Sequence, residues 1–302
     1  VLGNIVYFSI PYLFSYFLQI LYGLVDLFVV GQYCGVSTIT AVSIGSQIMH
    51  MLTVIIVGLA MGTTVLTAQS VGANDAKRTT KVVGNTITLF LAFSVVMSLV
   101  LLITVGDIVK VMSTPAEAVG ETTMYLTICF AGVPFIVAYN IIASIFRGMG
   151  DTRSPLYFVM VACVVNIVLD YVLIGGMGMG ATGAAVATVL SQTVSVIVAL
   201  VVIKVRKNGM GVTRADLQPQ KAVMGQMLKI GVPVALQDGF IQIAFLVITI
   251  IANLRGLNDA AAVGIVEKVI GVLFLIPSSM IIMSAGLPVT PPKMPRLISR
   301  PK

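Results

Sequence analysis

Charge is what this sequence has least of. Asp, Glu, Lys and Arg make up 10% of its 302 residues against 58% hydrophobic side chains, and the mean hydropathy is +1.06. A soluble domain carries about 25% charged residues, so a water-soluble globular protein is excluded and a polytopic membrane protein remains. Histidine is reduced to His50, and one imidazole on an apolar helix reads as a packed core residue before a proton relay. The cysteines, Cys34, Cys129 and Cys163, are odd in number, lack metal-ligand spacing and fall in or beside apolar runs, which argues against a disulfide framework or a zinc site and for packing. No Gly-rich phosphate loop and no nucleophile constellation is present, so neither an enzyme nor an ATP-driven pump is expected, and no cofactor. The longest polar stretch, residues 204–220, is too short for a core of its own.

What is present is a series of apolar runs of about 20 residues. They predict an all-α protein with eight spans at roughly 5–30, 42–66, 82–105, 123–146, 156–174, 182–203, 227–251 and 262–285. The chain begins at Val1, as expected of a missing or processed start, and the first apolar segment is too long for a cleaved signal peptide, so it reads as a span. The net charge of +7 suggests nucleic acid only until the basic residues are placed. With a cytoplasmic N-terminus, 15 of the 18 fall on the inner side: Lys77, Arg78, Lys81, Arg147, Arg153, Lys204, Arg206, Lys207, Arg214, Lys221 and Lys229, with Lys293, Arg296, Arg300 and Lys302 in the tail. Lys110 and Arg255 fall outside, and Lys268 lies within a span. This is the positive-inside pattern of a cell-membrane protein, and its partner is the lipid bilayer rather than nucleic acid. The outer connections are short and glycine-rich, as at residues 175–180, and no obligate protein partner is implied.

Against this background Asp26 and Asp170 stand out, because a carboxylate inside a membrane span costs about 2.5–3.5 kcal/mol on insertion scales. Asn166 lies one helical turn before Asp170 and shares its face. Two carboxylates close together in a low dielectric cannot both stay ionised unless they hold a proton or share a cation, which is a coupling device. The alternative is that they only fasten helices, although interhelical bonds are often worth under about 1 kcal/mol.

The segment 35–44 recurs at 256–265, an offset of 221, and Ile10-Pro11 recurs as Val232-Pro233 at nearly the same offset. Six spans separate the copies and an even number keeps the orientation, so the pattern predicts a parallel repeat of two six-helix lobes, the second represented by two spans. The proline-rich run 288–296 cannot continue a helix and reads as a truncated or frame-shifted end. The expected organisation is an N-lobe at 1–203, a cytoplasmic linker at 204–224, a partial C-lobe at 225–285 and an aberrant basic tail at 286–302.

Leu24-Val25-Asp26 with Val29-Val30-Gly31, Ala68-Gln69-Ser70-Val71-Gly72-Ala73, Phe146-Arg147-Gly148-Met149-Gly150-Asp151-Thr152-Arg153, and Asn166-Ile167-Val168-Leu169-Asp170 together resemble the multidrug and toxic compound extrusion (MATE) family. The resemblance covers about residues 1–283. It implies a secondary exporter of small organic cations or drugs coupled to inward Na⁺ or H⁺. It further implies that Asp26, Asn166, Asp170 and Thr188 bind the coupling ion and that Asn140 is linked to them. By residue counting Asp26, Asp170 and Thr188 fall in the outer halves of their spans, and Asn140 on the inner side unless Pro134 bends its helix. Asp238 reads either as a cavity residue between lobes or as a side chain snorkelling near a bend. Glu267 and Lys268, adjacent and so about 100° apart on a helix, each need another partner. Residues 147–153 read as a tight charged turn before a gate. Two other readings stand beside the exporter: a lipid-linked oligosaccharide flippase, which would need a cationic cavity, and a non-transporting membrane fragment.

Overall fold

The computed structural model describes residues 2–112, 114–205, 213–255, 270 and 273. Among them are eight α-helices and no strand: α1 Leu2–Tyr33, α2 Val36–Gly72, α3 Ala76–Val111, α4 Val119–Ala131, α5 Val133–Gly148, α6 Arg153–Asp170, α7 Gly180–Val205 and α8 Lys221–Arg255. A π-helical turn, Tyr171–Gly176, prolongs α6. Six helices are long and apolar enough to cross a membrane, and α4 with α5, bent by 49°, makes a seventh span. The predicted spans 1–7 therefore correspond to real helices. The eighth span, Glu267, Lys268 and the second copy of the repeated segment lie outside the described residues.

The helices run longer than the apolar runs that signal them. At about 1.5 Å per residue, the 37 residues of α2 measure about 55 Å, beyond the roughly 30 Å of a hydrocarbon core. What stops α2 and starts α3 is turn chemistry. Asn74 takes a left-handed φ of 54°, and the Asp75 carboxylate accepts the Arg78 N–H at 2.9 Å as an N-cap. The next basic turn is built alike: Gly150 has φ +85°, and Asp151 accepts the N–H groups of Arg153 and Ser154 at 3.1 and 3.0 Å. Residues 147–153 thus do form a tight turn, but Arg147 leaves it. Its guanidinium donates to Ser144 Oγ at 2.8 Å and lies 5.4 Å from the Tyr12 ring centre, half-buried inside the bundle.

Side-chain distribution is inverted as a bilayer requires. Phe28, Leu91, Val96, Ile103 and Val164 face outward, while Thr63, Thr64, Ser98, Ser144 and Ser195 are buried. The buried hydroxyls bind neighbouring helices: Ser98 donates to the Phe130 carbonyl at 2.6 Å, Ser195 to that of Phe158 at 2.9 Å and Thr64 to that of Ser144 at 3.2 Å. His50, contrary to expectation, lies on the exposed face of α2 rather than in the core, and the three cysteines are free thiols.

The helices alternate in direction, so the turns at 73–75 and 149–152 and the segment 213–220 share one end of the bundle, the basic end. The turn at Cys34, residues 114–118 and the 177–179 turn share the other. At the basic end α8 returns against α2. Gly58, Gly62 and Gly231 lie so close to Ala235, Met227 and Leu59 that a Cβ on any of them would meet opposing backbone. The segment before α8 is clamped to α3. Asn85, fully buried, accepts the Gln220 N–H at 2.6 Å and donates to the Asp216 carbonyl at 3.4 Å, and Thr88 donates to the Leu217 carbonyl at 2.7 Å.

Asp216 closes this clamp. Hydrogen bonds from the Thr213 N–H and hydroxyl, at 2.9 and 2.7 Å, hold its carboxyl below the usual carboxylate range, helped by Thr80 and Lys81. A depressed folded value means that the contribution is complete above the ordinary value of about 4 and is lost as pH falls through the lower folded one. Asp216→Asn is therefore expected to speed tryptic cleavage after Arg214 at neutral pH, and acidification of the native protein to lower the amide protection factors, taken relative to intrinsic exchange at each pH, across residues 213–217. A substitution without effect on cleavage would remove Asp216 from the clamp.

Candidate cation site and family membership

Three helices converge on the buried carboxylates. Asp26 lies two turns before the end of α1, Asn166 and Asp170 occupy the last turn of α6, and Thr188 lies two turns into α7; α1 packs on α6 and α6 on α7. Asp26, Asn166 and Asp170 are 6%, 1% and 0% exposed, and Thr188 is half-buried. The Asp26 carboxyl faces the side chains of Asp170, Asn166 and Thr188. Just beyond, Tyr171 meets Tyr33 edge-on at 6.5 Å between ring centres, and Gly175 lets the Tyr33 ring lie against the π-helical turn, since a Cβ there would stand 3.1 Å from it. This packing pins the end of α6 to the end of α1. Irregular turns of this kind are frequent at functional sites.

The polar atoms of this cluster face one another, and most of them lack a partner in good hydrogen-bond geometry. Asp26 Oδ1, both Asp170 oxygens, both amide atoms of Asn166 and Thr188 Oγ1 are buried and have no partner. Neither aspartate takes part in an ion pair among the described residues. Buried polar groups are ordinarily satisfied because desolvation without compensation costs about 1–3 kcal/mol each, and more for a charge. Five oxygens directed at one small volume, two of them from one carboxylate and one from another, form a donor set suited to a hard monovalent cation or a proton.

The structure brings the four sequence-predicted residues onto converging helices and sets a further polar layer beside them. Gln192, one turn beyond Thr188, is buried with Oε1 unpartnered and faces Tyr22, one turn before Asp26. The same four-residue spacing that pairs Asn166 with Asp170 was the available signal. Asn140 is buried on α5, but its Nδ2 donates to the Ile136 carbonyl of its own helix at 2.8 Å, and the structure records no bond from it to Asp26 or Asp170. The span does bend, by 49° at Gly132, two residues before Pro134. Asp238, half-buried on α8, lies close enough to Tyr12 and Tyr16 of α1 for its charge to act on both.

What the fold defines is a polytopic all-α membrane protein with a carboxylate pair buried at the junction of its first, fifth and sixth spans. The chain belongs to the MatE family, whose profile matches residues 11–172. It is 31% identical over 269 residues to the "Probable multidrug resistance protein YoeA" of Bacillus subtilis, covering 87% of this chain and 58% of that protein. It is 23% identical over 265 residues to the "Multidrug export protein MepA" of Staphylococcus saprophyticus, covering 88% of this chain and 59% of that one. Among solved structures it superposes on a MOP superfamily transporter from Pyrococcus furiosus with a TM-score of 0.87 at 26% identity, and on a multidrug resistance MATE family transporter in an outward-facing conformation with a TM-score of 0.83 at 26%. Those two matches cover 94% of this chain and 63% and 62% of theirs. The chain thus spans about three-fifths of the length of the relatives it matches.

Proposed function

We propose that this protein is the cation-coupled part of a secondary exporter of small organic cations, with Asp26, Asn166, Asp170 and Thr188 forming the site of the coupling Na⁺ or H⁺. What carries the reading is the cluster of buried, unpartnered oxygens around two carboxylates. The family membership and the multidrug names of the relatives support the cargo class. In this reading residues 1–203 are the ion-binding lobe, residues 204–224 the linker, and residues 225–285 the beginning of the second lobe. The basic end faces the cytoplasm, by the distribution of Lys and Arg. Cargo occupies the space between α1 and α8, where Tyr12, Tyr16 and Asp238 supply aromatic faces and one negative charge.

An oligosaccharide-lipid flippase would need cations where this lobe is most deeply buried. That position holds Asp26 and Asp170, and the nearest basic group described in the interior, Arg147, lies at the basic end of α5.

Ion arrival would displace cargo by differential affinity of the two ligands for one lobe. The experiment is ethidium binding to the purified chain by fluorescence, titrated with Na⁺ at fixed pH and with acid at fixed Na⁺. At least one of the two cations is expected to release the dye, and Asp26→Asn to abolish that dependence. Dye binding indifferent to both cations, or unchanged dependence in Asp26→Asn, would leave the aspartates as structural groups.

A further inference from the structure

A cavity of about 390 Å³ opens at the glycine-rich end of the bundle, lined by Cys34, Thr38, Glu121, Gly178, Ala181 and Thr182 among others. It stands in register with the carboxylates. Asp26 and Val30 of α1 and Cys34 just past its end, whose N–H still bonds the Val30 carbonyl at 2.9 Å, follow one another at four-residue spacing. Asp170 ends α6, Ile174 follows in the π-helical turn and Gly178 in the turn beyond it, and on α7 Thr188, Ala184 and Ala181 run outward in the same order. Each of the three contributes a site residue, then an apolar residue one turn outward, then a residue of the cavity wall. The middle layer is closed: Val30, Ile174 and Ala184 are 0%, 1% and 0% exposed. Glu121, from the first turn of α4, brings a carboxylate to the cavity, and its Oε2 is buried without a hydrogen-bond partner. An unpartnered buried carboxylate oxygen beside an open cavity is a cation-attracting centre.

We propose that this cavity is the antechamber through which the coupling cation approaches Asp26 and Asp170 from outside, with Glu121 as its capturing carboxylate and Val30, Ile174 and Ala184 as the plug. The proposal rests on the coupling-site reading above. Ile174 belongs to the π-helical turn, the irregular stretch of this span, so it is the plug residue with a local means of moving. The cavity wall at Cys34 stands about 12 Å along the first helix from Asp26, two helical turns, and a cation held in the cavity by Glu121 reaches Asp26 when the plug parts.

The native thiol in the cavity wall gives the test. Cys129 and Cys163 are buried, whereas Cys34 is partly open, and burial together with the Glu121 charge pushes its thiol up from the usual range. Rates of Cys34 modification in the intact chain, reconstituted in liposomes, are compared for a trimethylammonium and a sulfonate methanethiosulfonate reagent, each normalised to a free thiol. The cationic reagent is expected to be favoured by about tenfold, and Glu121→Gln to bring the two within about twofold, from the loss of one charge beside the thiol. Asp26→Asn and Asp170→Asn keep the preference, which separates the antechamber from the coupling site. Equal normalised rates in the native chain overturn the proposal.

A second measurement needs no substitution at Glu121. The trimethylammonium adduct on Cys34 is expected to slow cation-triggered ethidium release, in stopped flow, by about tenfold with its final amplitude unchanged, as expected of a fixed positive charge on the path. An unaltered rate in the adduct overturns the route. Absence of any cation response in unmodified protein overturns the coupling-site reading, and the route with it.

Discussion

Asp170→Asn is expected to erase the stabilisation that the coupling ion gives the folded chain while leaving the apo protein as stable as before or more so. Asp170 is completely buried and neither carboxylate oxygen has a partner, so Asn keeps the volume and removes an uncompensated charge. Neutralising a charge that has no partner removes a desolvation cost and breaks no bond. A ligand that binds only the folded state at 100 times its dissociation constant stabilises by about 2.7 kcal/mol. That increment, read as a rise in unfolding temperature on adding Na⁺ or acid to detergent-solubilised protein, is the signal that should vanish. A helix-fastening aspartate predicts the opposite pattern, with lost stability in the apo variant and no ion response in either protein. In a longer relative carrying the aligned aspartate, the same substitution is expected to abolish export with membrane insertion intact.

The carboxylates were legible because a bilayer makes them so. In a soluble protein Asp26 and Asp170 would be two acids among many, but inside an apolar run each needs an explanation, and the four-residue step from Asn166 supplies a face. The span count through α8 was legible for the same reason. Helix ends were not, because counting apolar residues stops where polarity begins, whereas α2 continues to Gly72 until the left-handed Asn74 and the Asp75 cap end it. The break between α4 and α5 had a partial signal in Pro134, and the π-helical turn after Asp170 had none, since no residue in Tyr171–Gly176 forces an extra residue into the turn. Arg147 was assigned to the loop by its neighbours in sequence. Its long side chain instead folds back over Tyr12, a contact between residues 135 apart in sequence that pattern reading does not supply. Asn85 was hidden for a related reason. Its partners, Asp216 and Gln220, come from a segment more than 130 residues away.

Gly62→Val is expected to open the basic end of the bundle. The seam between α2 and α8 is a close approach of backbones: a Cβ on Gly62 would run into the Met227 carbonyl, and one on Gly231 into that of Leu59, so neither clash can be relieved by turning a side chain. Met227 itself is 1% exposed and its sulfur accepts the Thr86 hydroxyl at 3.7 Å, which leaves it no slack on the α3 side. Overpacking costs typically 1–3 kcal/mol, and backbone against backbone belongs near the top of that range. About 3 kcal/mol shifts a closed-to-open equilibrium by roughly a hundredfold, at 1.4 kcal/mol per decade. If cargo exchange depends on this seam parting, the variant should favour the state open at the basic end. The measurement is maleimide labelling of Met227→Cys in a Cys34→Ser background: little reaction is expected with Gly62 in place, and reaction faster by at least about tenfold, a fraction of that shift, with Val. Gly106→Val is the control, because a Cβ at Gly106 meets nothing within 4 Å and should leave Met227→Cys protected. Protection that persists in Gly62→Val would mean that α2 and α8 are held by contacts elsewhere and that the glycine seam does not govern closure.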